Sequence, residues 1–214
     1  MMKKVGIVGS GNVGKDLARG FIHYGYETTL SSRSEEKRKN LEQEINGLKT
    51  DTPKNTARNS ELIIFAVKGS EAKAALQEIG LENISGKTVI DTTNPIASEN
   101  PVNGVLVYFS SINKSLMEEL QEMAPEARFV KAFSCVGSAH MVNPDFKSKP
   151  TMFICGNDKD AKVDVSAILE KFGWETEDMG TVEAARAIEP LAMLWCIPGF
   201  RENRWNHALK LLKK

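Results

Sequence analysis

The chain alternates between short continuous apolar runs and stretches in which apolar residues recur three and four positions apart. Val5, Ile7 and Val8 form a run suited to a buried strand. Val13, Leu17 and Phe21 follow at helical spacing, and Gly25 is placed to end that helix. Strand-like runs recur at 26–30, 48–51, 62–67, 88–91, 128–133, 151–155 and 175–179. Helical patterns fill 35–45, 53–59, 70–79, 112–123 and 161–172. The run at 62–67 is uninterrupted, as expected of a central parallel strand covered on both faces. This alternation predicts an α/β fold built on a doubly wound, mainly parallel sheet. The last stretch departs from it. Residues 182–195 read as helical and apolar-rich, with a kink or break at Pro190. A basic amphipathic tail carrying Trp205, Leu209, Leu211 and Leu212 follows. The expected division is therefore 1–180 for the sheet domain and 181–214 for a small α-helical C-terminal segment. That segment is too apolar to stand in solvent, so it packs on the sheet domain, on a second subunit, or on both.

Composition narrows the function classes. The 214 residues carry 28 basic and 28 acidic side chains, so charge gives no argument for nucleic acid or an anionic membrane as partner. No apolar run approaches the roughly 20 residues that span a bilayer. The start leads straight into the first strand, without the apolar core of a signal peptide, and the expected compartment is the cytoplasm. Cys135, Cys155 and Cys196 are far apart and odd in number, so they suggest small buried thiols and no metal site.

The chemistry concentrates in Gly9-Ser10-Gly11-Asn12-Val13-Gly14, where a strand turns into a helix. Gly9 allows the sharp turn, Gly11 lets a pyrophosphate approach the backbone, and Gly14 permits close helix–sheet packing. The free N–H groups and dipole of the new helix favour phosphate. The residues after the second strand choose the cofactor. An NAD site usually has an acidic residue there for the ribose 2′-hydroxyl. This chain has Ser32 and Arg33, with Lys37 one turn on, which suits a 2′-phosphate and predicts NADP(H). Ser32 or Ser34 is placed to cap the following helix. The competing acid would be Glu35 or Glu36. Ala66 and Val67 end the central run with small side chains that leave room for the cofactor. Asn94-Pro95 makes a turn at another strand end, where its amide and carbonyls could meet the nicotinamide ribose. The loop 134–141 is rich in small residues and ends in His140-Met141. His140 is the one candidate for proton transfer near neutral pH, and ordering of the loop by a hydrogen bond is its plainer role.

Together these residues resemble a known family. Gly9–Gly14, Ser32-Arg33 with Lys37, the run at 64–67, Asp91-Thr92-Thr93-Asn94-Pro95, Val130-Lys131-Ala132-Phe133, His140-Met141 and Cys155-Gly156-Asn157-Asp158 resemble the F420-dependent NADP oxidoreductases. They are also similar to the nucleotide domain of STEAP-type membrane ferric reductases. The resemblance implies a Rossmann-type sheet, with Ser10, Gly11, Asn12 and Val13 on the pyrophosphate. It implies Ser32, Arg33 and Lys37 on the 2′-phosphate, Val67 along the nicotinamide half, and Ala132 among the cofactor-binding positions. It further implies hydride transfer between NADPH and a small-molecule acceptor or donor, either the deazaflavin F420 or FMN/FAD. The acceptor would lie in a cleft beside the C-terminal segment of a homodimer. Ser134-Cys135 and the segment around Leu194–Phe200 depart from the family pattern, so the acceptor transfers less well than NADP. Hydride transfer between rings asks mainly for alignment and exclusion of water, which fits the lack of a catalytic triad or metal cluster. Two other readings remain. One is a reductase of a small imine or carbonyl, like pyrroline-carboxylate reductase. The other is an NADPH-binding redox sensor without turnover.

Overall fold

Alternate residues of each central strand are buried on opposite faces of one sheet. Ile7, Leu62, Ile64, Ile90 and Val130 belong to one apolar cluster, and Val8, Ile63, Phe65, Val89 and Phe129 to the other. A sheet apolar on both sides needs helices on both sides, which is the doubly wound arrangement. The computed structural model describes residues 4–214. Its six-stranded parallel sheet comprises β1 (Lys4–Val8), β2 (Glu27–Ser31), β3 (Lys49–Asp51), β4 (Leu62–Phe65), β5 (Thr88–Asp91) and β6 (Arg128–Lys131). The strand order is β3-β2-β1-β4-β5-β6. The order reverses between β1 and β4, which pair with Val5 opposite Leu62 and Val8 opposite Phe65. A crevice opens beyond the carboxyl ends of strands at such a reversal.

Helix α1 (Asn12–His23) and a C-terminal helix, Lys159–Lys171, supply Leu17, Phe21, Val165 and Leu169 to one cluster. Between them in sequence lie α2 (Glu35–Glu44), α3 (Pro53–Asn59), α4 (Ala72–Ile79) and α5 (Leu116–Met123), so the C-terminal helix is α6. Leu76, Ile79, Leu116 and Leu120 from α4 and α5 fill the other cluster. Strands β7 (Thr151–Ile154) and β8 (Glu175–Asp178) pair in parallel with each other as a separate ribbon. One antiparallel bridge, Lys131 to Cys155, joins that ribbon to the main sheet.

Three expectations are refined. The helix expected from 112 begins at Leu116, because Ser115 and Glu118 form a reciprocal capping box there. The residues before it, 96–114, make only isolated antiparallel bridges, among them Ile96 to Tyr108 and Val102 to Val105. The helix expected over 182–195 is split. Its pieces are α7 (Ala185–Ile188) and α8 (Leu191–Glu202), with Pro190 at the start of the second. Asn203, in the left-handed conformation at φ 52°, ends α8, and the residues beyond it are not helical. That tail runs along β7, where Thr151 N–H donates to Leu209 O at 2.9 Å. Lys210 and Lys213 pair with Glu175 and Glu177 on β8. The Trp195 and His207 rings stack at 5.0 Å, and Trp195 Nε1 donates to His207 O at 2.8 Å. The C-terminal segment is thus docked on its own sheet domain.

Candidate active site

The glycine corner shows which glycines the fold itself requires. Gly9 has φ 114°, and a Cβ there would lie 2.2 Å from Ala66 O. A Cβ at Gly14 would lie 1.9 Å from Gly9 O, so α1 rests directly on the turn. Gly11 is different. Nothing lies within 4 Å of a Cβ built on it, and its backbone is ordinary extended chain at φ −82°. No contact inside the chain explains a glycine there, whereas a group lying over it from outside would. Gly11 is also the N-cap of α1 and offers no side-chain cap bond. The first-turn N–H groups, including those of Asn12 and Val13, therefore keep their capacity for an anion.

A cavity of about 440 Å³ runs from this corner to the end of β2. Ser10, Gly11, Ser32, Arg33, Lys37, Ala66 and Val67 all line it. Ser34, not Ser32, caps α2 by accepting from Lys37 N–H at 3.2 Å. Ser32 is held by its backbone: its N–H donates to Asp51 O at 3.0 Å, and its carbonyl accepts from Arg38 Nη1 at 2.9 Å. Ser31 accepts from Gly9 N–H at 3.3 Å, tying the β2 end to the glycine turn. The acid near Arg33 is neither Glu35 nor Glu36. It is Glu78 of α4, whose Oε1 and Oε2 accept from Arg33 Nε at 2.9 and 2.8 Å. That hydrogen bond, and then the carboxylate charge, hold the Arg33 guanidinium above its usual value. Glu71 and Glu78 both line the cavity, and the sequence reading missed them because they come from α4 and the turn before it.

A second cavity, about 790 Å³, continues from the first through their shared lining residues Ala66, Val67 and Lys68. Val13, Thr92, Thr93 and Asn94 also line it, with Ile96 and Phe109 on the far side. Asn94 Nδ2 donates to Ser134 O at 2.7 Å. Its Oδ1, together with Thr93 Oγ1 and Ser134 Oγ, is buried without a hydrogen-bond partner in the protein. The open space above Gly11 leaves room for a group lying over the glycine corner.

Directly behind Thr93 lies a buried charge cluster that pattern reading did not find. Lys131 Nζ sits 2.7 Å from Asp91 Oδ2 and 2.9 Å from Glu189 Oε1, and donates to Thr93 O at 2.8 Å. All three side chains are at most 2 % exposed. Glu189 also accepts from the N–H groups of Leu116 and Met117 at 3.1 and 3.0 Å, at the start of α5. Burial would lower the Lys131 ammonium, but the Asp91 and Glu189 charges outweigh it and hold it above its usual value. The cluster fixes the strand ends at the second cavity to the junction of α7 and α8.

Two candidates fall outside the groove. His140 lies on a short turn at 138–140, and its ring packs against Phe146 at 5.2 Å. It lines neither cavity. Ala132 is fully buried, with its N–H donating to Asp91 O at 3.1 Å, so it supports the strand end from behind. Nor does any residue of 181–214 line the second cavity, to which Ile96, Ala97, Ser98, Glu99 and Phe109 contribute instead. The three cysteines are unpaired. Burial raises the Cys135 and Cys155 thiols to about 12 and Cys196 to about 11, leaving none as a nucleophile at neutral pH. Among the described residues no cluster of His, Cys, Asp and Glu could hold a metal ion.

Residues 4–95, which contain the glycine corner, the β2 end, Ala66, Val67 and Asn94, match the family model of coenzyme F420-dependent NADP oxidoreductases. The F420-dependent NADP reductase of Methanocaldococcus jannaschii is 25 % identical over 159 residues, covering 74 % of this chain and 69 % of that protein. The metalloreductase STEAP3 of Rattus norvegicus is 27 % identical over 199 residues, 91 % of this chain. The match spans only 38 % of that longer protein. In three dimensions the chain superposes over its whole length on a candidate F420-dependent NADP-reductase from Arthrobacter sp. FB24, with 26 % identity and a TM-score of 0.92. Pyrroline carboxylate reductase of Plasmodium falciparum shares the fold at 18 % identity and a TM-score of 0.62, covering 66 % of that chain. No helix among the described residues is long and apolar enough to cross a membrane.

Proposed function

We propose that this chain is an NADP(H)-dependent oxidoreductase that moves hydride between the nicotinamide and a ring acceptor, either the deazaflavin F420 or FMN/FAD. The observation that carries the reading is the open space over Gly11, continuous with a hydroxyl- and cation-lined end at Ser32, Arg33 and Lys37. NADPH supplies the hydride. The chain's own residues bind and align. The α1 N-terminus and Ser10 to Val13 take the pyrophosphate, and Ser32, Arg33 and Lys37 take the 2′-phosphate. Val67 and Asn94 flank the nicotinamide half, and Ala132 backs it. The second cavity then holds the acceptor against the far side of that ring, with Ile96 and Phe109 shielding it from water.

In this reading residues 1–180 form the nucleotide-binding domain, and 181–214 hold the α5 start and the second cavity in register through Glu189. Exposed Leu194, Phe200 and Trp205 on that segment make it the surface for a homodimer. The test is anaerobic oxidation of NADPH with F420, FMN and FAD offered separately. Turnover with at least one of them is expected. Tight NADPH binding without turnover on any of them would instead favour a sensor, and turnover confined to cyclic imines would favour the imine-reductase reading.

A further inference from the structure

The Arg33 guanidinium, which the NADP(H) reading assigns to the 2′-phosphate, already has an anionic partner. Arg33 Nε contacts both carboxylate oxygens of Glu78, at 2.9 and 2.8 Å, and Nη2 also donates to Oε2. A carboxylate engaged by this edge of a guanidinium offers the same paired oxygens as a phosphate monoester. Both residues line the cavity that runs to the glycine corner. The Arg33 side chain is 69 % exposed, while its carbonyl and that of Ser32 accept from Arg38 Nη1 at 3.3 and 2.9 Å. The backbone is therefore fixed while the guanidinium remains free to change partner.

We infer that Glu78 is an internal competitor for the 2′-phosphate, so that a 2′-phosphorylated dinucleotide binds by taking Arg33 away from it. This rests on the NADP(H) reading above. Two consequences follow from the geometry. Affinity for NADP+ is reduced by the pair that must be broken and by the charge Glu78 leaves facing the phosphate. Affinity for NAD+, which has no group to place there, is untouched by either effect. Glu78 thus sets how strongly this groove prefers the phosphorylated dinucleotide.

The test is calorimetric titration of the wild-type chain, Glu78→Gln and Arg33→Gln with NADP+ and with NAD+. Glu78→Gln should bind NADP+ about two- to fivefold more tightly, the span expected when an exposed pair is removed, with NAD+ affinity unchanged. If Glu78→Gln weakens NADP+ or leaves it unchanged, Glu78 orients Arg33 or is idle, and the competitor role is overturned. Arg33→Gln separates this inference from the reading beneath it. A lowered NADP+ preference in Arg33→Gln, with no gain in Glu78→Gln, keeps the cofactor reading and removes only the competitor. An unchanged preference in Arg33→Gln removes both.

Discussion

Replacing Lys131 with Met tests whether the buried cluster holds the second cavity to the C-terminal segment. Methionine matches much of the lysine volume, so the change removes charge and three donors more than it removes packing. Asp91 Oδ2, Glu189 Oε1 and Thr93 O lose contacts of 2.7, 2.9 and 2.8 Å. Removing one member of a buried ion pair costs about 3–5 kcal/mol, because the partner stays buried and uncompensated. Here two carboxylates remain, each only partly served: Glu189 by the α5 N–H groups and Asp91 Oδ1 by Thr93 N–H at 2.9 Å. For a domain of this size each kcal/mol shifts Tm by about 2–4 °C, so a fall of about 6–20 °C is expected. In the wild type the Lys131 ammonium is held above the ordinary value, so this stabilisation is complete through neutral pH and is lost only as pH rises past that raised value. The assay is urea unfolding followed by tryptophan fluorescence at neutral pH. A loss under about 1 kcal/mol would contradict the role given to the cluster.

Gly11→Val should leave thermal stability nearly unchanged, because a Cβ there meets nothing within 4 Å, yet abolish binding of both NADPH and NADH. Retained affinity would place the nucleotide elsewhere. Gly14→Ala should do the opposite and destabilise the fold, since its Cβ would lie 1.9 Å from Gly9 O; a melting curve superposable on wild type would contradict that. Glu118 is pulled down to about 2, first by its hydrogen bond from Arg186, with burial opposing and Ser115 assisting. Its stabilisation is complete above the ordinary carboxylate value of 4.5 and is lost as pH falls toward about 2. Glu118→Gln should therefore flatten the acid limb of the stability profile in that window, and an unchanged limb would remove the pair from the account.

What pattern reading could reach, and what it could not, follows from sequence separation. The strand–turn–helix at Val5–Phe21 was legible because propensity, glycine placement and apolar period all act within a few residues. The same holds for the kink or break at Pro190, whereas the cap of α2 was legible only as Ser32 or Ser34, and the structure gives it to Ser34. The Arg33–Glu78 pair spans 45 positions and depends on α4 returning beside β2, so no local pattern signals it. Lys131, Asp91 and Glu189 each look like a surface charge in isolation. Only the neighbouring strands β5 and β6, and the α7–α8 junction above them, make them one buried unit. The tail's apolar residues are spaced as on an amphipathic helix, yet the tail lies along β7 without helical structure once Asn203 has ended α8, leaving Leu209 and Leu211 half-buried and Trp205 and Leu212 exposed. His140 is a candidate by residue type alone, which carries no information on where the chain places it.

The proposed function depends on this groove recognising the phosphate that distinguishes NADP(H) from NAD(H). Calorimetric titration of the wild-type chain with each reduced dinucleotide in the same buffer measures that recognition. NADPH should bind more tightly than NADH by about tenfold or more, as charge-assisted contacts from Arg33 and Lys37 require. Equal affinities would contradict the account.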